Sequence, residues 1–152
     1  MRRLMMTALA ALALGAAACA GPKGEEFTTT DSAAIRQVDA DYVAAFNAKD
    51  LEKILTFYTD SSVFMPPNAP MLRGKDPLRS FYTDMFGQGP PGLALEASDV
   101  AGHGPLAYQS GTFTRTAGAT RDRGKFLFVM RKMGDKWLFD HTIWSSDLPK
   151  PM

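Results

Sequence analysis

Gly124–Met133 (GKFLFVMRKM), Gly134-Asp135 and Lys136–Ser145 (KWLFDHTIWS) together decide the fold. Two long runs rich in aromatic and β-branched residues flank a two-residue Gly-Asp step, which joins them as a tight antiparallel hairpin. Working back toward the N-terminus, the same texture continues. Leu106–Thr116 and Leu93–Ala101 read as two more strands, set off by the turn signals Ala117-Gly118-Ala119 and His103-Gly104-Pro105. Gly87 to Gly92 is a Gly/Pro loop and marks the change from a helical half to a strand half.

Upstream of that loop the spacing of apolar residues is helical. Ile35, Val38, Tyr42, Ala45 and Phe46 fall three or four apart, predicting a helix from about Asp31 to Ala48 with Thr30 or Asp31 as its cap. Asp50 caps a short second helix, Leu51 to Tyr58. Asp60-Ser61-Ser62 then turns the chain into a strand, Val63-Phe64-Met65. Pro66-Pro67-Asn68-Ala69-Pro70 cannot continue a sheet ladder. Leu72 to Lys75 suits a brief strand. Pro77 suits the first residue of a third helix, after Asp76; that helix shows Leu78, Phe81, Tyr82, Met85 and Phe86 and stops at Gly87. Helices first and antiparallel strands afterwards define an α+β fold: three N-terminal helices packed on a mainly antiparallel sheet.

The N-terminus concerns location. Arg2 and Arg3 precede an apolar run from Leu4 to Ala18, and Cys19, the one cysteine of the chain, follows it. This is the layout of a secretory signal, too short for a membrane span of roughly 20 residues. The segment resembles a bacterial lipoprotein signal, in which the cysteine becomes the lipidated first residue. Ala16 stands where such signals usually carry Leu, and Ala18-Cys19-Ala20 also reads as an ordinary cleavage site. Residues 1–18 are therefore read as signal peptide, 19–30 as a tether, 31–147 as one domain and 148–152 as a tail. The expectation is a lipid anchor at Cys19, with Ala20 favouring the outer membrane; the alternative is a soluble periplasmic or secreted protein. Without the signal, 15 Lys+Arg face 16 Asp+Glu. This near-neutral balance does not ask for nucleic acid.

Several short motifs gain meaning from their order. They are Ala44-Ala45-Phe46-Asn47-Ala48-Lys49-Asp50-Leu51, Phe57-Tyr58-Thr59-Asp60-Ser61-Ser62-Val63, Met65-Pro66-Pro67-Asn68 with Arg73-Gly74, and Lys136-Trp137-Leu138-Phe139 with His141 and Ser145. Together they resemble the SnoaL-like group of the nuclear transport factor 2-like superfamily, which also contains ketosteroid isomerase. The resemblance covers about 31–147 and implies a cone-shaped α+β barrel, a curved sheet wrapping a long helix around an apolar pocket. Ten Phe, four Tyr, two Trp and nine Met supply the large apolar side chains such a cone needs.

Candidate pocket residues are Tyr42, Phe46, Tyr58, Phe64, Met65, Tyr82, Trp137 and Phe139, each equally suited to ordinary core. On the last strand, Trp137, Phe139, His141 and Ile143 alternate with Leu138, Asp140, Thr142 and Trp144. If His141 shares the face of Trp137 and Phe139, it is an acid–base candidate. Asp60 is the second catalytic candidate, as a carboxylate at the pocket mouth; its plainer role is to cap a turn. Superfamily enzymes that isomerise steroids or close polyketide rings use an acidic residue in the cavity, and no motif here places one. The basic run Arg115, Arg121, Arg123, Lys125, Arg131, Lys132 and Lys136 reads as the solvated side of a hairpin. No His/Cys spacing suits a metal, and neither metal nor organic cofactor is expected.

Three functional readings follow. The first is an envelope-tethered domain binding a small apolar or amphipathic ligand. The second is a cofactor-free isomerase, cyclase or dehydratase. The third is a homodimeric interaction module using the outer sheet face, with Trp144 contributing to it.

Overall fold

The computed structural model describes residues 26–89 and 91–149. The signal segment, Cys19, most of the tether and the end of the tail lie outside the described residues. Helices α1 (Thr29–Asn47), α2 (Leu51–Thr56) and α3 (Lys75–Gly87) occupy the N-terminal half. The strands are β1 (Tyr58–Met65), β2 (Leu72–Arg73), β3 (Pro91–His103), β4 (Leu106–Ala117), β5 (Thr120–Met133) and β6 (Lys136–Ser146). They form one curved sheet in the order β2-β1-β6-β5-β4-β3. All neighbours are antiparallel except β1 and β6, which run parallel. The helices pack on the concave face, giving the expected α+β cone. Its core holds Ile35, Ile54, Leu78, Tyr82, Met130 and Phe139, all at most 1 % exposed.

Helix α1 begins two residues before the position its apolar period indicates. The cause is a capping box: Thr28 Oγ1 accepts from the Asp31 amide, and Asp31 Oδ2 accepts from the Thr28 amide at 3.0 Å. The same Asp31 accepts from Trp137 Nε1 at 3.1 Å and pairs with Lys132 Nζ at 3.1 Å. Phe27 packs edge-on against Trp137, with ring centroids 5.7 Å apart. These contacts close the narrow end of the cone. At its other end α1 is held by Asn47, whose side chain bonds both the amide and the carbonyl of Leu93.

The expected turn at Asp60-Ser61-Ser62 is part of β1 instead. Tyr58 pairs with Phe139 and Val63 with His141, so four residues of β1 stand over the single residue Asp140 of β6. On the other side, Met130 pairs with Phe139 and Val129 with His141, which leaves Asp140 as the extra residue of a β-bulge. Asp140 is buried, and Arg131 holds it through Nε at 2.9 Å and Nη2 at 3.3 Å. The sheet bends where a side chain has no room. A Cβ at Gly124 would come within 1.9 Å of the Ser145 carbonyl oxygen, and one at Gly111 within 2.1 Å of that of Glu96.

Candidate functional site

A hollow remains between the helices and the concave sheet face. The helices line it with Tyr42 and Phe46 of α1 and Tyr82 and Met85 of α3. The parallel pair of strands adds Tyr58 and Phe64 from β1 and Thr142 and Trp144 from β6. The antiparallel strands supply Leu93, Leu95, Phe113, Arg115, Phe126 and Phe128, two each from β3, β4 and β5. This inner hollow is narrow, with a free volume of about 60 Å³. It leads to a wider mouth of about 260 Å³, where Met85, Arg115 and Trp144 meet Pro66, Pro67 and Asp84.

The polar groups of the hollow are few. Tyr82 Oη lies 2.7 Å from Tyr42 Oη and 2.8 Å from Tyr58 Oη. Three hydroxyls carry three protons, and the two contacts between them use two. Whichever way the chain is oriented, one O–H is left to donate elsewhere. Burial raises the pKa of all three phenols, so they stay protonated at neutral pH. Thr142 Oγ1 and Arg115 Nε are also buried, with no hydrogen-bond partner. The same holds for Ser62 Oγ and Gln109 Oε1, on residues that do not line the hollow.

Five of the eight lining candidates read from the sequence border this hollow: Tyr42, Phe46, Tyr58, Phe64 and Tyr82. Met65 is half-buried outside it. Phe139 packs into the core against Tyr42, Tyr58 and Phe128, and Trp137 closes the narrow end. Both catalytic candidates fall elsewhere. His141 is on the outer sheet face with its side chain 47 % exposed, because the bulge at Asp140 shifts the alternation by one residue. Its Nδ1 is 2.8 Å from Asp140 Oδ2. The Arg131 guanidinium, above all, and then His141 hold the Asp140 carboxyl below its ordinary pKa, against the effect of burial. The Asp60 side chain is 96 % exposed and pairs with Lys75 Nζ at 2.8 Å, which lowers its pKa. Among the described residues, no carboxylate or histidine lines the inner hollow.

The same bulge moves Trp144 inward, where it packs on Phe64 at 4.9 Å rather than serving the outer face. Arg115 likewise leaves the solvated hairpin side expected of it. It lies two residues beyond Phe113 on β4 and shares that strand's inward face. The period-two pattern of Phe126, Phe128 and Met130 on β5, and of Phe113 and Arg115 on β4, is a signal for this wall that a reading centred on β6 passes over. Among the described residues, no group of three His, Cys, Asp or Glu side chains is arranged to hold a metal ion.

Helices seated in a curved six-stranded sheet around a conical apolar hollow define a nuclear transport factor 2-like protein. The family model for the SnoaL-like domain matches residues 40–138, and the chain belongs to that family. A solved structure of a ketosteroid isomerase-like protein from Erwinia carotovora atroseptica SCRI1043 is 27 % identical, with a TM-score of 0.70 over 80 % of this chain and 100 % of that one. A protein of unknown function with a cystatin-like fold from Nostoc punctiforme PCC 73102 is 19 % identical, at 0.69 over 80 % and 95 %. An NTF-2 like protein of unknown function from Shewanella oneidensis MR-1 is 17 % identical, at 0.68 over 75 % and 98 %. The last two are likenesses of fold alone. No curated protein sequence matches the chain.

Proposed function

We propose that this domain binds a small, mostly apolar molecule whose polar end reaches the tyrosine hydroxyls and Thr142. The observation that carries this reading is the leftover O–H of the Tyr42–Tyr82–Tyr58 chain together with the unpartnered Thr142 Oγ1, both in an otherwise apolar hollow. A ligand oxygen would satisfy both. Binding is favoured over catalysis because acid–base chemistry needs a base beside the ligand, and neither His141 nor Asp60 faces the hollow. The ketosteroid isomerase-like relative supports a pocket for ring-shaped apolar molecules; no reaction is carried over from it.

The test uses the neutral dye N-phenyl-1-naphthylamine, which fluoresces on entering apolar sites. The protein should bind it with micromolar affinity, and Leu95→Trp, which fills the hollow from a half-buried position, should weaken binding at least tenfold while thermal stability holds. No fluorescence gain, or equal binding by the filled variant, defeats the proposal.

Two further proposals concern setting. The outer sheet face joins two copies of the chain; support comes from Tyr108, Leu127 and Ile143, each more than 40 % exposed on adjacent strands. The N-terminal residues tether the domain in the cell envelope, and support for this rests on the sequence pattern at Arg2-Arg3 and Leu4–Cys19.

A further inference from the structure

Arg115 is the cation that borders both the inner hollow and the mouth. Its guanidinium has five N–H donors and poor partners for them. Nη1 points at the Met85 sulfur at 3.6 Å. Nη2 is 3.6 Å from Asp122 Oδ2, a charge contact too long for a hydrogen bond. Nε is buried and has no partner. Arg131 shows what a filled guanidinium looks like in the same sheet, with both its bonds to Asp140 at 3.3 Å or less. Asp122 accepts from Ser146 Oγ at 2.6 Å through its other oxygen, Oδ1.

Arg115 is the cation that lines the mouth. Arg121 and Arg123 alternate with Asp122 on β5 and stand on its exposed face, so the charged groups beside Arg115 are Asp122 and, across the mouth, the exposed Asp84. A planar carboxylate matches the fork of a guanidinium, and such a pair gains strength where water is excluded. The second orphan lies on β6: Thr142 Oγ1, on a residue 2 % exposed.

We infer that the ligand is a small ring-bearing or unsaturated carboxylic acid. Its carboxylate sits on the exposed part of the Arg115 guanidinium at the mouth, and an oxygen at its far end lies toward Thr142 and the tyrosines. This rests on the pocket proposed above and adds the charge of the ligand and its direction of entry.

The probes are trans-4-hydroxycinnamate and its primary amide, which differ at the carboxyl end alone. Each competes against N-phenyl-1-naphthylamine at pH 7.5 in low salt. The acid should displace the dye at least tenfold more effectively than the amide. In Arg115→Gln the acid should lose that advantage over the amide, and Arg115→Lys should recover part of it. Equal displacement by acid and amide in the unaltered protein overturns the inference even though the dye is bound. A tenfold preference that survives intact in Arg115→Gln overturns it too. Failure of the dye itself to bind overturns the pocket reading along with it. The acid–amide comparison in the unaltered protein needs no variant to fold.

Discussion

Asp39 lies on the buried face of α1 at 7 % exposure and accepts a hydrogen bond from Gln109 Nε2 at 2.8 Å. Burial pushes its pKa up from 3.8 to about 6, against the smaller opposing effects of Gln109 and Arg36. A carboxyl whose folded pKa is raised binds its proton more tightly in the folded state. Stability therefore falls as pH rises between about 4 and 6, where the unfolded chain is already ionised, and is level above that range. Each tenfold change in proton affinity is worth about 1.4 kcal/mol, so a rise from 3.8 to about 6 makes the ionised carboxylate cost about 3 kcal/mol at pH 8. Asp39→Asn keeps an acceptor for Gln109 Nε2 and removes the charge. It should be more stable than the unaltered protein by about 3 kcal/mol at pH 8 and by close to nothing at pH 4. Trp137 is buried and Trp144 half-buried, so intrinsic fluorescence reports unfolding. The assay is urea denaturation of both proteins at several pH values between 4 and 8. A difference that does not change with pH, or a variant less stable at pH 8, refutes the reasoning.

Tyr82→Phe removes the central hydroxyl of the tyrosine chain and leaves Tyr42 and Tyr58 without their shared partner. It should destabilise the domain by about 1–3 kcal/mol in the same denaturation assay; an unchanged midpoint would mean that water bridges the two remaining hydroxyls. His141→Ala should leave dye affinity within twofold and the melting temperature nearly unchanged, since the ring faces away from the hollow; a tenfold loss of binding would return His141 to the site. Leu127→Lys should convert a dimer to a monomer in light scattering without lowering thermal stability. A monomeric unaltered protein ends the dimer proposal.

The order of the elements and the presence of all six strands are legible in the sequence, and the last four come close to their full length because period-two runs between Gly-containing turns admit little else. The N-cap at Thr28 is legible in principle, through Thr28 and Asp31 at capping-box spacing, but the apolar period starts later and draws the boundary inward. The facing of β6 is not legible beyond Phe139. An extra residue in a strand inverts the alternation after it, and nothing in Phe139-Asp140-His141 announces which residue will be extra. That single insertion explains why plain alternation puts His141 inside and Trp144 outside. Arg115 is hidden for another reason: a cation among cations reads as solvated, and its turn inward follows from sharing β4's inner face with Phe113, which no local composition reveals.

Helix α1 runs the height of the cone. Its first turn sits with Phe27 on Trp137, and its last is held at Leu93, the strand partner of Arg115 at the rim. Nineteen residues make that distance roughly 28 Å. The entry of the chain into the domain and the opening of the cone thus lie at opposite ends. A solute therefore enters from the side away from Thr28 and has the length of α1 beside it.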